Sequence, residues 1–153
     1  MDKPGNAFNV MKAEDSPGFL LWQVTTLWHR AIKKALDEID LTHPQFVLLA
    51  SLLWLSKTKA SITQIDLSHH SKIDPMTTST IIKTLLRKGL VERQEHETDT
   101  RAKSVTLTEN GIAISRQAVQ IINKVDDDFF TGLGKDVKDF NGMLVGLLGR
   151  NKI

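Results

Sequence analysis

Between Pro75 and Arg87 the chain gathers four threonines, one serine, a lysine and an arginine, and no acid. Turned through about 100° per residue, the segment sorts into two sides. Ile81, Ile82, Leu85 and Leu86 gather on one, with Thr78 among them. Met76, Thr80, Lys83, Thr84 and Arg87 gather on the other, with Thr77 and Ser79 on its shoulders. Short hydroxyls and cations suit a helix pressed into a phosphate-lined groove, where a carboxylate would be repelled. Taken alone, the same face is equally that of a solvated surface helix. The neighbouring segments decide between the two.

Upstream, Thr63 to His70 reads as a short helix capped by Thr63, with Ile65 and Leu67 as its apolar contacts. Lys72-Ile73-Asp74-Pro75 makes a turn whose last two residues are a cap followed by a first-position proline. The helix from Pro75 runs to Lys88 and stops at Gly89. Two short helices on a tight turn form the helix-turn-helix pattern. Downstream, Leu90 to Arg93 and Ser104 to Leu107 alternate apolar and polar residues around a charged tip, Glu95 to Lys103. That spacing predicts a small antiparallel hairpin, or wing.

The flanks read as helices. Ser16-Pro17 opens one in which Leu20, Val24, Leu27, Ala31 and Ala35 form a stripe that Leu21, Trp28, Ile32 and Leu36 widen. So broad a face has more than one neighbour to cover, a second subunit among the candidates. Thr42 and Gln45 form a capping box before the apolar run Phe46 to Leu55, the expected buried central helix. Thr108 caps a long helix to about Phe130, Gly132-Leu133-Gly134 breaks it, and a last helix carries Val137, Phe140, Met143, Leu144, Leu147 and Leu148.

Asp99 to Gly111 resembles the wing signature of MarR-type regulators, D-x-R followed by a strand, L-T-x-x-G and a helix. Ile62-Thr63-Gln64 with Asp66-Leu67 resembles that family's first DNA-binding helix, Asp74 to Thr77 the start of its recognition helix, and Lys88 to Arg93 its approach to the wing. Leu41-Thr42 with Gln45-Phe46 fits the preceding helix, and the resemblance runs from about Ser16 to Leu148. It implies a mainly α fold with a small β-hairpin wing: a winged helix-turn-helix over 42–111, dimerisation helices over 16–40 and 112–148, and a flexible arm over 1–15. A guanidinium at a hairpin tip can enter a minor groove, and a carboxylate two residues earlier can hold it ready. Arg101 is therefore assigned to the minor groove and Asp99 to positioning it, with Lys103 and Arg93 as phosphate contacts; the plain alternative for Arg101 is a surface salt bridge. Two residues depart from the family pattern. Thr80 stands where many members carry arginine, which removes bidentate guanine readout there, and Lys72 replaces a common turn glycine.

A single module of this size covers too little DNA for specificity, so two copies on a pseudo-palindrome are expected. Leu20, Val24, Leu27, Phe140, Met143, Leu144 and Leu147 are the candidate subunit contacts. Many relatives release DNA when a small aromatic or phenolic effector enters a cleft, and Trp22, Trp28, His29, Phe46 and Trp54 are candidates to line one; each is equally a core aromatic. The expected partners are double-stranded DNA, a second copy of the chain and such an effector.

Composition narrows the rest. The chain has 153 residues, 41% hydrophobic and 25% charged, which suits one globular domain. The net charge of +2 permits nucleic-acid binding without arguing for it. With no cysteine, disulfides, thiolate metal sites and thiol redox sensing are excluded. No apolar run reaches the roughly 20 residues of a membrane span, and a cytoplasmic protein is expected. His69 and His70 diverge on a helix and cannot share a metal. His43 near Asp37, Glu38 and Asp40 lacks a second histidine at suitable spacing. Asp126, Asp127 and Asp128 point different ways and are expected to face solvent. No metal, cofactor or catalytic constellation is indicated, so no enzyme is expected. The leading expectation is a ligand-responsive homodimeric repressor; the alternative is a winged-helix protein–protein interaction module whose DNA surface is vestigial.

Overall fold

The computed structural model describes residues 7–94 and 103–152. Its elements are α1 (Pro17–Leu36), α2 (His43–Leu55), α3 (Gln64–Ser71), α4 (Pro75–Arg87), β1 (Val91–Gln94), β2 (Ser104–Leu107), α5 (Glu109–Phe129) and α6 (Val137–Arg150). Short 3-10 turns at Ala13–Asp15, Asp37–Ile39 and Thr131–Asp136 join them. Among the described residues the fold is mainly α with one two-stranded antiparallel hairpin.

Helix starts fall where capping chemistry puts them. The Ser16 hydroxyl accepts from the Phe19 N–H, with Pro17 in the first position. Thr42 and Gln45 cap each other's main chain at the head of α2, and Thr63 does the same with Asp66 at α3. Asp74 opens α4 and Thr108 opens α5. Gly89 follows α4 with φ of 72°, the left-handed turn-off that a glycine takes without a Cβ penalty.

The core is assembled from the inner faces of five helices and the wing. Ile32 and Leu36 of α1, Leu48, Leu49 and Leu52 of α2, Leu67 of α3, Ile82 and Leu85 of α4, Val91 and Val105 of the hairpin, and Ala118 and Ile122 of α5 are buried together. In the hairpin Val91 pairs with Leu107 and Arg93 with Val105. The Val105 N–H also donates to the Ile62 carbonyl at 2.8 Å, which pins the wing to the chain entering α3.

Three expectations need correcting. Ile65 is 63% exposed and is not an apolar contact of α3, since burial at Leu67 turns its near neighbour outward. Trp54 is 62% exposed, so α2 is not buried throughout; its last turn emerges from the core, and Lys57 Nζ sits 4.4 Å over the indole ring. Asp126 is half-buried because its carboxylate accepts from Trp28 Nε1 at 2.8 Å. Asp127 and Asp128 are exposed, as expected.

Candidate nucleic-acid interface

The turn before α4 is fixed from inside. Ser68 Oγ and Thr78 Oγ1 both donate to the Ile73 carbonyl, at 2.6 and 3.3 Å. That is why a threonine sits among the apolar residues of this helix: Thr78 is fully buried, with its hydroxyl satisfied. Lys72 holds φ of 64°, a conformation that glycine would take without strain. With Thr78, Ile81, Ile82 and Leu85 facing in, Met76, Thr77, Thr80, Lys83 and Arg87 are exposed, and Ser79 and Thr84 half-buried.

This outer face is internally ordered. The Thr77 hydroxyl and its N–H, the latter at 2.8 Å, donate to the Asp74 carboxylate and hold that acid below its ordinary range. Thr80 Oγ1 donates to the Met76 carbonyl at 3.2 Å, and Thr84 Oγ1 to the Thr80 carbonyl at 3.3 Å. Arg87 Nη2 donates to Thr84 Oγ1 at 3.1 Å. The nearest carboxylate in sequence, Asp74, is thus occupied by its cap.

The wing is anchored through one residue. Thr108 Oγ1 donates to the Gly89 carbonyl at 2.7 Å and accepts from the Gly111 N–H at 3.0 Å, while the Thr108 N–H donates to Leu90 O at 3.1 Å. Gly111 is buried where a Cβ would overlap the Leu90 carbonyl oxygen. The T-x-x-G spacing therefore joins the end of α4, the hairpin and α5. Arg93 is half-buried on β1, and Lys103 is exposed just before β2. Asp99 and Arg101 lie outside the described residues.

A second cluster joins α1, α2 and α5. His29 and His43 meet Nδ1 to Nδ1 at 2.7 Å, so one nitrogen carries the shared proton and the other accepts it. Trp28 lies against both rings while donating to Asp126. Burial pushes the His43 pKa below its ordinary value, the charge of His29 adds to this, and Asp126 opposes it. The pairing bridges two helices, so no spacing rule within one helix could have revealed it. Lys88 was missed for the same reason: at the end of α4 it donates to the Asp40 carbonyl and, at 3.2 Å, to Gln45 Oε1.

Of the candidate effector contacts, Trp28 and His29 come together in this cluster and Phe46 packs on the core. Trp22 and Trp54 stand in solvent, 70% and 62% exposed. Among the candidate subunit contacts, Leu20, Val24, Leu27, Met143 and Leu147 are exposed, and Phe140 and Leu144 half-buried. Among the described residues, no group of three His, Cys, Asp or Glu is placed to hold a metal ion, and no helix is long and apolar enough to cross a membrane.

The family model described as "ArnR1-like, winged-helix domain" matches residues 37–126. The HTH-type transcriptional regulator YdcH of Bacillus subtilis is 40% identical over 84% of this chain and 87% of its own length. The organic hydroperoxide resistance transcriptional regulator of the same organism is 30% identical over 94% of each chain. The multiple antibiotic resistance protein MarR of Escherichia coli is 30% identical over 68% of this chain and 72% of its own. A crystal structure of a mutant of that protein complexed with operator DNA superposes with a TM-score of 0.79 at 27% identity, covering 92% of this chain and 99% of the other. Sequence, fold and wing chemistry agree: the chain belongs to the MarR family of winged-helix transcriptional regulators.

Proposed function

We propose that this protein is a homodimeric repressor that binds a pseudo-palindromic operator in double-stranded DNA and leaves it when a small aromatic effector binds. The observation that carries this reading is the outer face of α4, open to solvent, free of acid, and held in place by the burial of Thr78, Ile81, Ile82 and Leu85 behind it. Met76, Thr77, Ser79, Thr80, Lys83, Thr84 and Arg87 enter the major groove. Arg93 and Lys103 meet phosphates, and Arg101, steadied by Asp99, enters the minor groove. The operator-bound relative supports this docking mode. The protein works in the cytoplasm and catalyses no reaction.

The exposed apolar stripes of α1 and α6 meet those of a second copy, which sets the spacing of two recognition helices on one face of the duplex. The effector enters beside Trp28, His29 and Phe46, where α1, α2 and α5 converge and a displacement reaches both subunit contact and DNA module. Cysteine oxidation is not the signal, because the chain has no thiolate for a peroxide to attack.

The test is operator binding by fluorescence anisotropy. Arg101→Ala should weaken it by about tenfold or more, the usual worth of a lost groove contact. Unchanged affinity would remove the wing from the mechanism. Duplex binding with flat salt dependence would favour the protein-interaction module instead.

A further inference from the structure

On the outer face of α4, Thr80 and Thr84 spend their hydroxyl protons within the helix, Thr80 on the Met76 carbonyl and Thr84 on the Thr80 carbonyl, while Thr77 sits against the Asp74 carboxylate, which takes its N–H. A hydroxyl committed in this way donates elsewhere only by giving up that bond. It presents an acceptor lone pair and, beside it, a methyl group. Next to Thr77 and Thr80 stands Met76, 81% exposed, whose thioether is also apolar and donor-free. Around Thr80 the leading half of the helix is thus an acceptor-and-methyl surface, with the Ser79 hydroxyl on its shoulder, while its cationic donors, Lys83 and Arg87, lie in the trailing half.

The major-groove edge of guanine shows two acceptors, N7 and O6, whereas thymine shows a methyl group beside O4. An acceptor-and-methyl surface leaves guanine's acceptors unpaired, and its methyl groups pack against thymine. We propose that Thr80, flanked by Met76 and Thr77, reads a thymine methyl group, so that each operator half-site carries a T·A pair where the leading half of α4 enters the groove. This rests on the reading that α4 enters a duplex at all. It makes the chain's departure from arginine at position 80 a change of specificity, from guanine to thymine, rather than a loss of contact.

Selection of bound duplexes from a random pool with the full chain supplies the operator. Its thymines are then replaced one at a time by deoxyuridine, which removes only the C5 methyl. At one position in each half-site, affinity should fall about fourfold, the transfer worth of one buried methyl group. Thr80→Ser, which keeps the hydroxyl and deletes the methyl in both subunits, should lose about sixteenfold on the thymine duplex, one fourfold factor per half-site, and should be indifferent to deoxyuridine at these two positions. Thr80→Val, which keeps methyl groups and deletes the hydroxyl, should preserve the discrimination. Guanine at the leading contact, indifference to deoxyuridine at every position, or full discrimination by Thr80→Ser would overturn the proposal and leave DNA binding standing. Recovery of no duplex would overturn the function beneath it as well.

Discussion

Gly111 shows how a single atom positions the wing. Its buried Cα lies so close to the Leu90 carbonyl that any Cβ displaces one or the other, while Thr108 one turn earlier ties down Gly89 and Leu90. Gly111→Ala should therefore cost about 1–3 kcal/mol, as overpacked sites do, read as a shifted urea midpoint. Wild-type stability would show that the α5 start moves freely, and the wing would then be less firmly set than described. The T-x-x-G motif was legible as a string of letters. Its physical reason was not, because it depends on a contact with a residue 21 positions earlier. The hydroxyls of α4 behave alike: their types were plain in the sequence, but where their protons go needed coordinates.

At the scale of elements, every cap read from the sequence opens the helix it was expected to open, because N-caps act on main-chain donors only two or three residues away. The sorting of α4 into two faces was legible for a similar reason, since a helix fixes its own geometry. Ile65 and Trp54 were misread because apolar type says nothing of which neighbour a helix end will find. The His29–His43 contact belongs to the packing of α1 on α2, beyond any local pattern. It carries a pH dependence. A histidine with a lowered pKa binds its proton less readily folded than unfolded, so its contribution to stability is full above its ordinary value of 6.5 and is lost as pH falls through the lowered folded value. Thermal midpoints should drop on acidification below about pH 6.5, and His43→Gln should flatten the part of that slope due to this pair. An identical slope in the variant would place the acid sensitivity elsewhere.

For the molecule as a whole, α6 is the informative element. It buries no residue, yet Met143, Val145, Leu147 and Leu148 stand 55–68% exposed along it, and α1 shows Leu20, Leu21, Val24 and Leu27. Exposed apolar surface on that scale is what the proposed subunit contact would cover. Replacing Met143 and Leu147 together by glutamate should give a monomer in sedimentation with unchanged helix content, because neither side chain supports the core; a persistent dimer would move the interface off this surface. The sequence displayed the apolar periodicity of both helices but not which stripe faces inward, since a core and a subunit contact demand the same residue types. The central claim, that α4 lies in a DNA groove, is tested most directly by the salt dependence of operator affinity with and without Lys83. Between roughly 50 and 200 mM salt the logarithm of the affinity should fall steeply and linearly, and Lys83→Gln should reduce the slope by about two, one for the cation lost from the groove in each subunit. Salt-independent binding, or a slope that Lys83→Gln leaves unchanged, would contradict it.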